Sequence, residues 1–300
     1  MKILITGGTG LLGKALVASA DSSYEIVCTF VGDYQILDTQ QIIYKKLDIR
    51  DKEGYFQLLR DFRPEVTIHA AGISNPDYVE KNNKQAWEIN VGGTQNIIKV
   101  CEELASKFIY ISSNAIYSGT IAPYREEDKA DPVNYYGKIK LECEEITKES
   151  NVIWAIVRPI LMYGWNYAFE RPNIVTTGIA RLRKKEKFFV YDDVYYNPLY
   201  YYSCAEAIRK IIEKNKFEVF NVAGKDRLSI YGLMKAVAEV FKLEQGLLIP
   251  VQQGFFQELV KRPRDTSYDT AKIESVLDIK PLTVREGLKL MRDETGQSYG

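Results

Sequence analysis

Ile3-Leu4-Ile5, closed by Thr6 and a cluster of glycines, opens a pattern of apolar runs alternating with amphipathic stretches that holds to about residue 158. Short runs rich in β-branched residues fall at KILIT (2–6), EIVCTF (25–30), IIYKKLDI (42–49), EVTIHAAG (65–72), FIYISS (108–113) and VIWAIVRP (152–159), and each predicts a strand. Between them LLGKALVASA, KEGYFQLLRDF, QAWEINVGGTQNIIKVCEEL and YYGKIKLECEEITKE place apolar residues at helical spacing. Strands that alternate with helices imply a parallel sheet with right-handed crossovers and helices on both faces. The fold class expected is therefore α/β, a doubly wound, Rossmann-type parallel sheet.

After Arg158-Pro159 the alternation breaks into loops rich in Tyr, Asn and Pro, followed by helical patterns near 173–185, 204–214, 229–242 and 284–292. We expect a dinucleotide-binding domain over 1–160 and a smaller, mainly substrate-binding lobe over 161–300. EVFNVAG at 218–224 is a candidate strand returning to the main sheet, and the cleft between the parts is the natural substrate site.

Composition narrows the function classes. Forty Lys and Arg balance forty Asp and Glu, so no global field attracts nucleic acid or an anionic membrane. Cys28, Cys101, Cys143 and Cys204 are scattered without the paired spacing of zinc or redox sites, and His69 is the single histidine, so no metal centre is expected. His69 closes an apolar run that reads as a buried strand, a poor place for the base of a hydrolase. The chain starts directly on a strand-like segment and carries no apolar run long enough to span a bilayer, so a cytoplasmic protein is expected.

The strongest chemical signal is Thr6-Gly7-Gly8-Thr9-Gly10-Leu11-Leu12-Gly13, where a buried strand turns into a helix. One glycine permits the tight turn, the next lets backbone N–H groups approach a pyrophosphate, and the last allows close helix–strand packing. The acidic residue that usually grips the NAD ribose about 20 positions on is replaced by Phe30, with Asp33 as an alternative ribose ligand. NADP or NAD is the expected cofactor, tilted slightly toward NADP.

Asn134-Tyr135-Tyr136-Gly137-Lys138-Ile139-Lys140 opens a helix in which Tyr136 and Lys140, four apart, share a face. A phenol titrates near 10, and an adjacent ammonium is expected to bring Tyr136 toward a working range. Tyr and Lys at this spacing are common by chance, and Tyr135 with Ile139 is the chemically empty register. Ser112 and Ser113 at the carboxyl end of FIYISS change the balance, because ligands of such sheets bind at that edge and a hydroxyl there can polarise a substrate carbonyl while Tyr136 donates a proton.

With these parts in order the chain resembles the extended short-chain dehydrogenase/reductase superfamily, and within it is most similar to the dTDP-4-dehydrorhamnose reductase family. Leu47-Asp48-Ile49-Arg50-Asp51 looks like the adenine-contacting turn, His69-Ala70-Ala71-Gly72 like the strand end lining the cofactor, and Asn90 like that superfamily's helix asparagine. The resemblance implies Ser113, Tyr136 and Lys140 as catalytic residues. It implies Gly7, Thr9, Gly10, Leu11, Leu12, Gly13, Asp48, Ile49, Ala70, Ala71, Gly72, Asn90, Tyr136 and Lys140 around the cofactor. Asn114, Asn197, Arg262 and Arg264 are implied on the substrate side, the last two from the tail Arg262-Pro263-Arg264-Asp265-Thr266. Where the family often has threonine and an acidic residue after the fifth strand, this chain has Ser113-Asn114.

The activity implied is NAD(P)H-dependent reduction of a keto group on a nucleotide-linked deoxysugar, in a chain that is a possible homodimer. Two alternatives stand beside it: a nucleotide-sugar epimerase or dehydratase, and a non-catalytic regulatory subunit that binds NADP. Asn114-Ala115, in place of an Asp-Glu pair, argues against a dehydratase.

Overall fold

The computed structural model describes residues 1–33, 36, 38–257 and 259–294; the last six positions of the lobe expected over 161–300 lie outside these. Strands β1 (Lys2–Thr6), β2 (Glu25–Phe30), β3 (Ile42–Lys46), β4 (Val66–His69), β5 (Lys107–Ile111) and β6 (Trp154–Pro159) alternate with helices α1 (Leu11–Ala18), α2 (Lys52–Phe62), α3 (Pro76–Lys81), α4 (Asn83–Trp87), α5 (Gly93–Leu104) and α6 (Tyr135–Glu149). A single π-helical turn, Glu88–Gly92, joins α4 to α5. The chain then runs through β7 (Met162–Tyr163), α7 (Ile174–Arg183), β8 (Phe188–Tyr191), β9 (Tyr195–Tyr196), β10 (Leu199–Tyr200) and α8 (Tyr201–Glu213) to β11 (Val219–Val222). It ends with β12 (Leu228–Ser229), α9 (Ile230–Val240), β13 (Leu248–Val251), α10 (Ala271–Leu277) and α11 (Val284–Asp293).

The main sheet has seven strands in the order β11-β6-β5-β4-β1-β2-β3, every pair parallel. This is the doubly wound α/β fold. Alternation along a strand sends neighbouring side chains to opposite faces: Ile3 and Ile5 join one buried cluster and Leu4 the other. Both faces are covered by helices, so the strands read as unbroken apolar runs. The cluster on the α1 side also holds Ala205 and Ile208 of α8, Leu233 of α9 and Leu288 of α11. The segment after residue 160 thus shares its core with the sheet, and β11 extends the sheet beyond β6. The strand order reverses between β1 and β4, and the crevice at their carboxyl ends is where such sheets bind ligands.

One polar cluster is buried inside this apolar frame. Arg158 of β6 donates from Nε to Glu144 Oε1 at 2.9 Å and from a terminal nitrogen to Oε2 at 2.6 Å, a two-point pair with Glu144 of α6. Its other terminal nitrogen reaches the Tyr117 hydroxyl at 2.7 Å and the Glu126 carbonyl at 3.2 Å. Ser112, at the end of β5, donates to Glu144 Oε1 at 2.5 Å. Strand β5, helix α6, strand β6 and the loop after Asn114 are tied through this one carboxylate.

His69 is buried too, its Nδ1 2.8 Å from the Thr6 hydroxyl and its Nε2 3.1 Å from that of Thr94. Both ring nitrogens are occupied inside the core, which removes the histidine from any catalytic role. Burial, assisted by the charge of Lys140, lowers its pKa to about 3. The unfolded chain takes up this proton near pH 6.5, so the unfolded state binds more protons between those values. Stability is therefore complete above pH 6.5 and falls as the pH drops, by about 2 kcal/mol between pH 7 and 5. Urea titrations across that range should show this slope, and His69→Gln should flatten it whatever its absolute stability.

Breaking a buried ion pair strands the remaining charge. Arg158→Met or Glu144→Gln should each cost about 3–5 kcal/mol, and the double variant should cost clearly less than the sum. Denaturant midpoints of the three variants measure both.

Candidate active site

The glycine loop assigns its three glycines to different tasks. Gly7 has φ +71°, and a Cβ there would sit 2.9 Å from the Ala71 backbone, so the turn needs glycine both for its backbone angle and for the approach of β4. A Cβ on Gly13 would lie 2.5 Å from the Gly7 carbonyl oxygen. Gly10 differs: its Cβ would meet only Gly7 O, at 3.4 Å. That side opens onto a cavity, and α1, which starts at Leu11 with no side-chain cap, presents the unpaired N–H groups of its first turn there. A cradle that a Cβ would fill, beside an uncapped helix start, fits a pyrophosphate.

The cavity encloses about 1290 Å³ at the carboxyl edge of the sheet. Pockets for one small molecule span roughly 300–1,000 Å³, so this one has room for two ligands side by side. It is lined by Gly7, Thr9, Gly10, Leu11, Leu12 and Gly13, by Asp48 and Ile49 after β3, and by Ala70, Ala71 and Gly72 after β4. Ser113, Asn114, Tyr136, Lys140 and Arg262 line it as well.

Three residues expected at the ligands are not on its wall. Asn90 is buried in the π-helical turn, where its amide oxygen accepts from Ile73 N at 2.7 Å and its amide nitrogen donates to Ile73 O at 3.0 Å. It shapes the loop after Gly72 instead of facing a ligand. Asn197 is also buried, its amide oxygen accepting from Tyr268 N at 2.8 Å, which anchors the tail after Arg262. Arg264 points to solvent, 3.4 Å from Asp193 and with Nε 3.3 Å from Gln253 Oε1. Arg262 stays on the wall and pairs with Asp77 at 3.1 Å.

Tyr136 and Lys140 stand one turn apart on α6, which begins at the Asn134 cap, whose amide oxygen accepts from Gly137 N at 2.9 Å. Gly137 allows this close seating, since a Cβ there would lie 2.1 Å from the Ala115 carbonyl oxygen. Lys140 donates from Nζ to Ile111 O at 2.8 Å and lies 6.0 Å from the Tyr136 ring centre. Burial lowers the Lys140 pKa, against the nearby Cys143 and Glu144. The same burial pushes the Tyr136 phenol up to about 12, a rise that hydrogen bonding to Ser113 opposes. The lowering expected from Lys140 is thus overridden: the ammonium is directed to the strand end, and loss of water around the phenol is the larger effect.

The two serines differ in their partners. Both line the cavity, but the Ser112 hydroxyl is committed to Glu144, whereas Ser113 caps the short turn at Asn114–Ile116 through Ala115 N at 3.2 Å and meets Tyr136. Asn114 donates to Thr266 Oγ1 at 2.7 Å, joining the strand end to the tail.

Sequence reasoning missed two parts of the wall. Phe189 of β8 and Phe256 form an aromatic ledge beside Tyr191, with Phe189 stacked on Phe255 at 5.5 Å; the short apolar run FFVY was the available signal. Glu170 and Arg171, in the loop between β7 and α7, also line the cavity. Burial raises the Glu170 pKa, opposed by a hydrogen bond with Thr9. Nothing in that irregular loop marks them beforehand.

The chain matches the family described as RmlD substrate binding domain over residues 1–296. It is 29% identical to methionine adenosyltransferase 2 subunit beta of Mus musculus over 296 residues, 96% of this chain and 86% of that one. It is 25% identical to dTDP-4-dehydrorhamnose reductase of Aggregatibacter actinomycetemcomitans, covering 97% of this chain and 98% of that one. The solved structure of dTDP-4-dehydrorhamnose reductase from Bacillus anthracis in complex with NADP superimposes with a TM-score of 0.86 at 25% identity, over 98% of this chain and 99% of that one. No helix among the described residues is long and apolar enough to cross a membrane. With the motif resemblance, the sheet order and the family match in agreement, the chain belongs to the RmlD substrate-binding domain family.

Proposed function

We propose that the protein is an NAD(P)H-dependent reductase of a keto group on a nucleotide-linked deoxysugar. The observation that carries this reading is the convergence of Ser113, Tyr136 and Lys140 on the wall that also holds the glycine cradle. In this reading the glycine loop, Asp48 and Ile49, and Ala70 to Gly72 hold the dinucleotide, and the bound reduced nicotinamide supplies a hydride. Tyr136, with its pKa near 12, is protonated at neutral pH and donates its proton to the carbonyl oxygen. Ser113 hydrogen-bonds the same oxygen, and buried Lys140 adds a nearby positive charge that favours the phenolate left behind. Arg262 serves the anionic part of the substrate, because a guanidinium meets phosphate in a planar fork.

A second reading, a regulatory subunit that binds NADP, draws support from the similarity to methionine adenosyltransferase 2 subunit beta. Fold and similarity do not decide between the two; turnover does. Purified protein mixed with NADPH or NADH and a panel of 4-keto nucleotide sugars should consume the reduced nicotinamide, followed by its absorbance. Tight cofactor binding with no oxidation by any sugar would overturn the reductase reading in favour of the regulatory one. Stoichiometric consumption would exclude an epimerase, which regenerates its nicotinamide.

Tyr136→Phe should lose roughly 10²–10⁴-fold in turnover while binding the dinucleotide as the parent does. Gly10→Ala should fold with nearly parental stability yet weaken dinucleotide binding, whereas Gly13→Ala should lower the unfolding midpoint, because a Cβ meets backbone at an ordinary 3.4 Å in the first and at a clashing 2.5 Å in the second.

A further inference from the structure

We propose that Lys46, at the carboxyl end of β3, is the residue that recognises the 2′-phosphate of NADP, and that Asp33 masks it when no phosphate is bound. The inference rests on the dinucleotide reading of the glycine loop and goes beyond it, to the choice between the two cofactors.

The starting point is Phe30, which stands where a carboxylate would grip a ribose. In the parallel pairing of β2 with β3, Phe30 is the direct partner of Lys46. Directly paired residues of neighbouring strands project to the same face. The edge contact of Phe30 with Tyr44, two residues before Lys46, marks that face, with ring centres 6.5 Å apart. Leu47 N donates to Phe30 O at 2.9 Å, so the strand ends stay in register up to the cavity. Phe30 and Val31 on one side of Lys46, and Leu47 and Asp48 on the other, all line that cavity. Lys46 itself is not on the wall, but it stands between residues that are, beside the end where the adenosine half of a dinucleotide laid across the glycine cradle would come to rest.

The ammonium of Lys46 is paired with Asp33, just past the turn at Gly32. Both side chains are well exposed, at 59% and 93%. An exposed pair of this kind is held weakly, so a phosphate dianion can displace the carboxylate at little cost. A second cation near this end, Arg50, is engaged at two points by Asp48, at 3.0 and 2.7 Å. Asp48 itself lines the cavity, so releasing Arg50 would leave an uncompensated carboxylate facing the incoming phosphate. Lys46 carries no such penalty: neither it nor Asp33 lines the wall, so its exposed ammonium can swing from the carboxylate to a phosphate without leaving a negative charge on the cavity.

Cofactor binding tests this without any sugar substrate. NADPH and NADH are titrated, by quenching of protein fluorescence, into the parent protein and into Lys46→Gln, Asp33→Asn and Arg50→Gln. Lys46→Gln should weaken NADPH by about 10- to 100-fold and leave NADH unchanged. Asp33→Asn should tighten NADPH by roughly 3- to 10-fold, because the ammonium is no longer masked. The proposal is overturned if Lys46→Gln weakens both cofactors alike or neither, or if Arg50→Gln instead produces the selective loss. Binding of neither cofactor by the parent protein would sink the dinucleotide reading as well, an outcome distinct from unselective binding.

Discussion

The buried pair of Arg158 and Glu144 is the contact on which the candidate site depends. Tyr136, Lys140 and Glu144 follow one another at intervals of four along α6, so one helical face carries the phenol, the ammonium and the carboxylate. Glu144 is grasped by Arg158 of β6 and by Ser112 of β5, and Ser112 is the immediate neighbour of Ser113. Arg158 in turn holds Tyr117, whose ring stacks on Tyr124 at 4.2 Å. Tyr124 accepts from the backbone of Gly119 and Thr120 and pairs across to the tail at Ser267, 2.8 Å away. A buried pair of this sort contributes little net stability, because desolvation offsets the attraction, yet losing one member is expensive. Its value is geometric: displacing Ser113 relative to Tyr136 would mean breaking the pair.

The layout of the sheet was legible in the sequence because strands buried on both faces must be apolar throughout, and such runs stand out against amphipathic helices. Helix α2 and helix α6 fall where their periodicity places them, starting from Asp51 and Asn134 as caps. The two-residue strands β7, β9, β10 and β12 left no trace, since two residues have no period. Helix α10 and the six-residue α3 were missed for a related reason: each buries only one or two side chains.

The site was legible where local backbone demands coincide with chemistry. The glycine loop is the clearest case, for turn, cradle and packing each require glycine at a fixed place in the order strand, loop, helix. Asn90, Asn197 and Arg264 lie off the cavity wall; motif similarity does not separate a side chain that lines a cavity from one that supports the backbone behind it or points to solvent. Lys46 escaped notice for another reason. It lies sixteen positions beyond Phe30, and only the pairing of β2 with β3 brings the two together.

Burial sets the proton chemistry of the site more firmly than the neighbouring charge does. It raises Tyr136 and lowers Lys140, disfavouring the charged form of each. In the proposed reaction, a phenol that holds its proton at neutral pH is the donor. The Lys140 ammonium is anchored by the Ile111 carbonyl to the strand end beside Ser112. In the proposed mechanism this charge weighs most once phenolate forms. For the proposed reductase, such a site holds the phenol neutral at rest and stabilises the phenolate during transfer.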